Sequence, residues 1–194
     1  MKLNTILTIK NMVCPRCIKV VREELENLGL TIESITLGSV VLKEGIDQKL
    51  KDKIGEVLLN NGFELLEDKN AELIEKIKVE IISLVQNFEN VELDLFNISD
   101  HLTQKLGIDY PTVSSLFSKT EGITIEHFFI LQKIEKVKEL LRYNEYTLSE
   151  IAYKLGYSSV QHLSNQFRKN TGMTASHFKK DSDNLRNSID SIGN

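Results

Sequence analysis

Two cysteines three positions apart, Cys14 and Cys17, are the residues of this sequence whose chemistry is easiest to identify. A deprotonated thiol binds soft metal ions, and two thiolates from one short loop suit an ion of low coordination number such as Cu(I). Zn(II) prefers four ligands and would need two more from a second chain or from small molecules. The spacing therefore predicts a soft-metal site in which Cu(I) is favoured and Zn(II) and Hg(II) are alternatives. A dithiol redox pair and two small core residues are the other interpretations.

A different chemistry is carried by polar residues in the C-terminal half of the chain. Amide side chains can bind adenine edges in a DNA major groove, and arginine or lysine side chains suit phosphates. The outward-facing set nearest the C-terminus comprises Gln161, His162, Ser164, Asn165, Arg168 and Lys169. An earlier set comprises Tyr110, Thr112, Ser114, Ser115 and Lys119. Both sets predict contact with double-stranded DNA, and a solvated helix face is the alternative for any single residue.

The segment that carries these residues is written twice. Val113–Phe117 is repeated in Leu163–Phe167, and the repeat continues through a shared lysine, glycine, threonine and His-Phe pair. The paired positions are Lys119 and Lys169, Gly122 and Gly172, Thr124 and Thr174, and His127-Phe128 and His177-Phe178. A second match, one residue out of step, joins Leu102–Gly107 to Ile151–Gly156. A repeat that keeps its apolar, glycine and hydroxyl positions predicts one structural unit used twice.

The later copy indicates the shape of this unit. One helix face is apolar from Leu148 to Leu155, and Gly156 is suited to end that helix in a left-handed conformation. Ser158 or Ser159 is placed to cap a second helix. The inward residues of the second helix are Val160, Leu163 and Phe167. This pattern is typical of a helix-turn-helix, whose second helix fits a DNA major groove. A helical hairpin with no role in DNA binding is the alternative.

The first copy and the segment between the copies follow the same logic. Residues 98–107 and 109–120 predict two helices, the second of them opened by an aspartate cap and a proline. A long helix over 124–143 carries apolar residues around more than one face. We therefore expect this connector to contact both units and to fix their spacing. A wide apolar face over 71–88 predicts a further helix that packs on the units.

The repeat and its connector resemble the DNA-binding domain of AraC/XylS-type transcription regulators. The signature is A-x-x-L-G-Y-S-S followed by L-S-x-Q-F-[RK]-K-x-T-G-M-T, between 152 and 174. The resemblance covers roughly 71–180 and implies two helix-turn-helix units placed in successive major-groove segments on one face of the duplex. The family often carries arginine at the positions of Ser115 and Asn165, so its absence implies fewer guanine contacts here.

Before residue 68 the pattern changes to short strands and two helices. Mixed apolar and β-branched residues predict strands over 3–9, 30–37, 40–43 and 63–66. Helices are predicted from Pro15 to Leu28 and over 46–60. The order β-α-β-β-α-β is that of the split βαβ unit of ferredoxin-like folds.

In this setting the cysteine loop resembles that of heavy-metal-associated domains, which occur in copper chaperones, metal-transporting ATPases and mercury-binding proteins. The resemblance rests on M-x-C-x-x-C at 12–17 and on Asn61-Gly62-Phe63, which is similar to an aromatic loop near the metal. It implies that both cysteines are ligands and that Met12 packs under the loop. A helix N-terminus at this point would lower the thiol pKa. The family usually has Gly-Met-Thr-Cys, whereas Asn11 and Val13 replace the glycine and the threonine here.

Composition excludes several classes of protein. The 194 residues are 41% hydrophobic and carry a net charge of −4, although residues 91–180 reach about +1. No apolar run is long enough to span a membrane and no export signal is present, so we expect a cytoplasmic protein with no membrane partner. The sequence contains no clustered carboxylates, no Ser-His-Asp set and no phosphate-binding glycine loop. These absences argue against an enzyme. Four histidines lack ligand spacing with the cysteines and are interpreted as structural or surface residues: His101, His127, His162 and His177.

Together these features predict an α+β protein with two domains. A ferredoxin-like βαββαβ domain at 1–68 precedes an all-α tandem helix-turn-helix domain at 71–180 and a polar tail at 181–194. The predicted function is sequence-specific transcription regulation, with DNA, a metal ion and the transcription machinery as partners. Metal binding would act on DNA binding through the helix at 71–88. The rival hypothesis is a soft-metal chaperone or sensor whose helical domain docks on another protein.

Overall fold

The structure, a computed structural model, describes residues 4–90 and 97–180. The first residue of the strand predicted over 3–9 and the tail predicted at 181–194 lie outside these residues. The chain divides into two compact units, Met1–Glu80 and Ile81–Asn194, and the division falls within a helix. The sequence places the domain boundary earlier, at 68–71, and that boundary stays a prediction.

The N-terminal unit contains the predicted order β-α-β-β-α-β. Its elements are β1 (Thr5–Lys10), α1 (Pro15–Asn27), β2 (Ile32–Thr36), β3 (Ser39–Leu42), α2 (Gln48–Asn60) and β4 (Glu64–Leu66), followed by the start of α3 (Lys69–Gln86). The strands form one sheet in the order β2-β3-β1-β4, and all neighbouring pairs are antiparallel. Strand β1 lies between β3 and β4, so the cysteine loop follows an inner strand of the sheet.

Side-chain caps decide where two of the helices begin. The Asp47 carboxylate accepts a hydrogen bond from the Leu50 N–H at 2.8 Å, so α2 begins at Gln48 and not at the predicted residue 46. Asp68 accepts from two backbone N–H groups in the same way, and α3 therefore begins before the predicted Ala71.

The turn between β2 and β3 supports the cysteine loop. Gly38 has a φ of +71°, and its N–H donates to the Met12 carbonyl at 3.0 Å. A Cβ at this position would lie 3.0 Å from Cγ2 of Val79, so glycine is the residue that fits without a shift. Leu37 belongs to this turn, which makes β2 shorter than the sequence predicts.

Apolar side chains from the sheet and from α1 and α2 form the core of the N-terminal unit. Leu7 and Ile9 alternate along β1 and are buried, as are Val21 and Leu25 on α1. Met12 is fully buried in the same cluster, which confirms the predicted packing of its side chain beneath the cysteine loop. Burial of these side chains is the main force that holds the unit together.

The C-terminal unit is helical. After the end of α3 and a 3-10 turn at Phe88–Asn90, its helices are α4 (Ile98–Leu106), α5 (Tyr110–Glu121), α6 (Ile125–Tyr143), α7 (Leu148–Lys154), α8 (Val160–Thr171) and α9 (Ala175–Lys180). Helices α4 and α5 are the predicted first unit, α6 is the connector, and α7 and α8 are the second unit. No pattern predicted α9, and α3 ends before the predicted Phe88.

The two copies of the repeat form the same contact between aromatic rings. Phe117 of α5 and Phe128 of α6 pack edge to face with their centroids 5.6 Å apart. Phe167 of α8 and Phe178 of α9 repeat this contact at 5.6 Å, and all four rings are buried. Each unit is therefore a helix-turn-helix whose second helix is fastened to the helix that follows it.

The turn beside each ring pair is repeated as well. Gly122 and Gly172 have φ values of +72° and +77°, and the N–H of each donates to the carbonyl four residues earlier. Thr124 and Thr174 then accept hydrogen bonds from the N–H groups three residues later, at 3.1 and 3.2 Å. The repeat seen in the sequence thus extends to individual hydrogen bonds at the start of α6 and α9.

Helix α6 contacts α5 of the first helix-turn-helix, and it contacts α7, α8 and α9 at the second. These contacts confirm the prediction that the connector touches both helix-turn-helix units. The sequence predicts that its buried positions are apolar, and this is incomplete. The buried polar residues of α6 are Gln132, Lys133, Glu135, Lys136 and Lys138. They are buried because α6 is enclosed on more sides than its apolar residues cover, and Lys138 pairs with Glu135 inside this layer.

Removing one phenylalanine from each ring pair tests whether the copies are equivalent. We expect Phe117→Ala and Phe167→Ala each to lower the free energy of unfolding by about 3–5 kcal/mol, because each leaves a cavity in a closed core. Urea unfolding followed by circular dichroism measures the loss. The exposed control Ser115→Ala should stay within about 0.5 kcal/mol of the parent. A loss below about 1 kcal/mol at either phenylalanine would contradict the equivalence.

Candidate nucleic-acid interface and thiol site

The second helix-turn-helix opens with a capping box at the start of α7. The Thr147 hydroxyl accepts from the Glu150 N–H at 3.3 Å, and the Glu150 carboxylate accepts from the Thr147 N–H at 2.7 Å. Two hydrogen bonds from Thr147 hold the pKa of Glu150 below its usual value. The bond from the backbone N–H has the larger effect, and the bond from the hydroxyl has the smaller one. The start of α7 is therefore fixed by its own sequence.

A glycine turn ends α7 and directs the chain toward α8. Gly156 has a φ of +65°, and its N–H donates to the Tyr153 carbonyl at 3.0 Å. The next N–H, that of Tyr157, donates to the Ala152 carbonyl at 2.9 Å. This pair of bonds is a Schellman motif, and it confirms the left-handed turn predicted for Gly156.

Helix α8 is amphipathic and begins at one of the two predicted caps. The Ser159 hydroxyl accepts from the His162 N–H at 3.0 Å, so Ser159 is the cap. Leu163 and Phe167 are fully buried, and Val160 packs against the same cluster. The polar residues of α8 are left on the opposite side.

The predicted contact residues of α8 lie on this outward side. Gln161, His162, Asn165, Arg168 and Lys169 are exposed, and Ser164 is half-buried. The Gln161 amide donates to the Asn165 amide oxygen at 2.9 Å, so the two side chains suited to adenine lie on successive turns of one face. Contact with a base would exchange this bond for bonds to the base edge.

The predicted contact residues of α5 are divided between the surface and the interior. The Asp109 carboxylate accepts hydrogen bonds from the N–H and the hydroxyl of Thr112. Both bonds lower the pKa of Asp109, and the hydroxyl bond has the larger effect. The Tyr110 hydroxyl donates to the Glu126 carboxylate, and burial together with this bond raises the pKa of Tyr110. Tyr110 is thus half-buried and tied to α6, less outward than the sequence predicts.

The remaining residues of the α5 set are nearer the surface. Ser115 and Thr112 are exposed, and Ser114 is half-buried. Basic side chains lie in the last turn of each second helix, at Lys119 on α5 and at Arg168 and Lys169 on α8. These three cations are exposed and form no hydrogen bond or ion pair within residues 4–90 and 97–180. Their position suits phosphate contact and is also favoured by the helix dipole.

A buried lysine of α6 reaches the turn of the second unit. The Lys133 ammonium is 8% exposed, donates to the Leu155 carbonyl at 2.8 Å and lies 4.1 Å from the centroid of the Tyr157 ring. Burial lowers the pKa of Lys133 to about 8, even though the carbonyl and the ring both favour the charged form. Lys133 is therefore an interior cation that fastens the connector to the glycine turn.

The sequence analysis missed Lys133 because it considers only the apolar residues of α6. A signal was present: Lys133 lies four residues after Phe129 and four before Val137, on the same helix face as two apolar residues. A lysine embedded in an apolar stripe indicates a cation that reaches a carbonyl or an aromatic ring.

The thiol site lies at the start of α1. Cys14 is the N-cap residue, Cys17 lies in the first turn, and their sulfur atoms are 2.8 Å apart, so the structure brings the two predicted ligands together. Both cysteines are partly buried and neither forms a disulfide. The donor set fits a soft ion, although two sulfurs bound to Zn(II) at about 2.3 Å each would lie roughly 3.8 Å apart in tetrahedral geometry, and two sulfurs on a two-coordinate ion would lie farther apart still. The loop would therefore open slightly to hold a metal.

The electrostatics of Cys17 differ from the expectation. Burial raises the pKa of the Cys17 thiol, and the Cys14 side chain beside it adds to the rise. The lowering expected from the helix N-terminus is outweighed because Cys17 faces the interior of the unit. Among the residues that the structure describes, no group of three or more His, Cys, Asp or Glu side chains is arranged to hold a metal. A metal at this site would have the two cysteines as its protein ligands.

Asn11 has the left-handed backbone conformation that glycine favours. Its φ is +69°, which asparagine tolerates better than other non-glycine residues. Its amide donates to the Gly62 carbonyl at 3.1 Å, which brings the predicted aromatic-bearing loop to the cysteine loop. Its backbone N–H donates to the buried Glu75 carboxylate of α3 at 3.0 Å. The loop is thus held by two neighbouring elements of its own unit.

Comparison with known proteins finds a family model that matches part of the helical segment. Residues 102–181 match the family model described as a helix-turn-helix domain. The matched segment begins within α4 and contains α5 to α9, so it includes most of the first unit, the connector and the second unit.

Two curated relatives extend this comparison. The probable transcriptional regulator LumQ of Photobacterium leiognathi is 25% identical over 158 residues, which cover 77% of this chain and 59% of the relative. The HTH-type transcriptional activator RhaS of Escherichia coli is 26% identical over 100 residues, 45% of this chain and 36% of the relative. This chain therefore spans 59% and 36% of the lengths of these relatives. The solved C-terminal domain of AraT, a response regulator from Geobacillus stearothermophilus, is 19% identical with a TM-score of 0.49, covering 58% of this chain and 88% of that chain.

In the part of the chain that the structure describes, no helix combines the length and the apolar character needed to cross a membrane.

Replacing Lys133 with methionine tests the burial of its charge. The folded protein releases this proton near pH 8, whereas the unfolded chain retains it to about pH 10.5. The unfolded state therefore binds more protons in this window, and stability rises with pH there. We expect the free energy of unfolding of the parent to rise relative to Lys133→Met by about 3 kcal/mol across the window.

Urea unfolding at a series of pH values measures this difference. The exposed control Lys119→Met should follow the parent at every pH, because its charge is solvated in both states. A constant difference between the parent and Lys133→Met across the window would show that the ammonium is not buried.

Proposed function

We propose that this protein is a sequence-specific transcription regulator of the AraC/XylS type that binds double-stranded DNA. The duplication carries this proposal: two helix-turn-helix units share one ring contact, one glycine turn and one threonine cap. The family match of residues 102–181 and the names of LumQ and RhaS support the same function. Two like units fastened to one connector suit two adjacent major-groove segments.

Helices α5 and α8 are the elements that would enter the groove. On α8, Gln161, His162 and Asn165 would contact base edges, and Arg168 and Lys169 would contact phosphates. On α5, Lys119 would contact phosphate. The hydroxyls of Thr112, Ser114, Ser115 and Ser164 would add shorter contacts, and Tyr110 would act from its position against α6.

Selection of duplexes from a random-sequence pool tests this function. The parent should enrich a motif, and Gln161→Ala combined with Asn165→Ala should weaken binding of that motif by about 10–100-fold and relax its preference for adenine. Arg168→Ala and Lys169→Ala should each weaken binding to all sequences and reduce the slope of log affinity against log salt by about one.

Lys53→Ala is a matched control for the cation variants, since Lys53 is exposed on α2 in the N-terminal unit. It should leave affinity and salt dependence unchanged. Enrichment of no motif by the parent protein, or equal effects of the α8 and Lys53 variants, would contradict a groove-reading role for α8.

For the N-terminal unit we infer a ferredoxin-like domain of the heavy-metal-associated type, with Cys14 and Cys17 as ligands to Cu(I) and with Zn(II) or Hg(II) as alternatives. The adjacent sulfurs, the buried Met12 and the element order support this assignment. A bound soft ion would supply a positive charge that keeps both thiols deprotonated. Asn11 would hold the loop in its left-handed conformation against Gly62.

Metal responsiveness would follow from the bond between the loop and α3. The Asn11 N–H donates to Glu75, and α3 contributes residues to both compact units. A loop that opens around a metal would disturb this bond and so change the packing of the first half of α3. Because α3 continues into the helical unit, this change would alter the affinity for DNA. Such a response would make the protein a metal-dependent regulator in the cytoplasm.

Titration of Cu(I) against a chromophoric competitor tests the metal site in the full chain. The parent should bind one Cu(I), and the double variant Cys14→Ser/Cys17→Ser should lose at least about 100-fold in affinity because the soft ligands are gone. Met12→Leu is the matched control and should keep the affinity, since Met12 is buried and serves packing. Equal Cu(I) affinity in the parent and the double-serine variant would reject the site, and equal DNA titrations with and without Cu(I) would reject the coupling.

The rival function is a soft-metal chaperone or sensor whose helical domain docks on a protein. The observation that favours it is the pair of adjacent, partly buried sulfurs at the start of α1. It predicts Cu(I) transfer to an acceptor protein and no salt-dependent DNA binding. The duplex selection described above separates the two functions.

A further inference from the structure

The ring of Tyr157 contacts both an interior cation and a residue of the outward face of α8. The Lys133 ammonium lies 4.1 Å from the ring centroid. The Tyr157 and His162 rings pack edge to face at 5.5 Å and 85°. A continuous set of contacts therefore runs from the connector helix, through the turn, to one of the residues that would reach a base.

The Tyr157 hydroxyl does not orient this ring. It is buried and has no hydrogen-bond partner among the residues that the structure describes. The position of the ring is therefore set by what touches its faces and edges, and Lys133 supplies the charged contact. Because the same ammonium donates to the Leu155 carbonyl at 2.8 Å, it also fixes the backbone just before the glycine turn.

His162 is held from a second direction by the turn. The ring Nδ1 of His162 forms a hydrogen bond with the Ser158 hydroxyl at 3.1 Å, and the backbone N–H of His162 donates to the hydroxyl of the capping Ser159. The ring of an exposed histidine on a helix would otherwise sample several rotamers. Contacts with Tyr157 and Ser158 restrict it to one direction at the first turn of α8.

We propose that Lys133 is a positioning residue for DNA recognition, which acts through Tyr157 to orient His162 toward the groove. This rests on the proposed function of α8 and adds to it a residue that touches no DNA. The Lys133–Tyr157–His162 set couples the connector to the groove-reading face of the second unit. A shape-filling apolar residue at position 133 would leave the Tyr157 ring without its cation and the Leu155 carbonyl without its donor.

A double-mutant cycle tests this set, with the duplex that the parent selects from the random pool as the probe. Lys133→Met should weaken binding about tenfold, and His162→Ala should weaken it by a similar factor. The double variant should bind at least about threefold more tightly than the product of the two single losses predicts, because both act on one ring contact. The control cycle pairs Lys133→Met with Lys119→Ala on α5, and its losses should multiply.

A second readout needs no DNA. In the free protein, the ring proton resonances of His162 should shift in Lys133→Met and should remain unchanged in Lys119→Ala. A residue that merely stabilises the fold would not shift these resonances selectively. Should Lys133→Met fail to unfold cooperatively, Tyr157→Leu replaces it in both experiments, since it removes the ring and keeps an apolar side chain.

The outcomes separate the inference from the function on which it rests. Multiplicative losses for Lys133→Met and His162→Ala, with a duplex that binds the parent tightly, would overturn the inference and leave the regulator function standing. Equal departures from multiplicativity in both cycles would also overturn it, because the effect of Lys133 would then be global. Failure of the parent to select any duplex would reject the proposed function itself.

Discussion

The enclosure of helix α6 is the constraint on which the helical unit depends. A helix that contacts α5 on one side and α7, α8 and α9 on others cannot rotate or slide without opening several contacts at once. Phe128 is its anchor to the first unit, and Lys133 is its anchor to the turn of the second. The spacing of α5 and α8 thereby depends on one helix, as the proposed recognition of two successive groove segments would require.

Enclosure forces α6 to bury charge, and the structure shows two ways of tolerating it. Lys138 pairs with Glu135, so two charges compensate each other in the interior. Lys133 instead rests on neutral dipoles and ring faces, and burial lowers its pKa to about 8. A buried ion pair contributes little to stability. The Lys133 ammonium instead forms a hydrogen bond to the backbone of the turn in the second helix-turn-helix. These two lysines of the helix therefore differ in how their buried charge is compensated.

In the N-terminal unit, backbone conformation determines the position of the cysteine loop. The loop has a left-handed residue before Met12, and Asn11 supplies it while adding one side-chain bond that glycine could not make. The amide to Gly62 and the N–H to Glu75 hold the loop from two sides. Asparagine has less backbone freedom than glycine at this position but attaches the loop through its side chain, and the two cysteines lie adjacent.

The sequence by itself determined the order of the strands and of helices α1 to α8, the repeat, the cap at Asp109 and the left-handed turn at Gly156, because these depend on residues close together along the chain. Apolar periodicity also determined that α6 joins both helix-turn-helix units, whereas the packing of Met12 was implied by the resemblance of the cysteine loop. Only the tertiary structure decided which polar residues are interior. Lys133 and Tyr110 are buried or tied down by partners distant in sequence, and the pKa of Cys17 rises because its environment is set by packing rather than by the helix it begins.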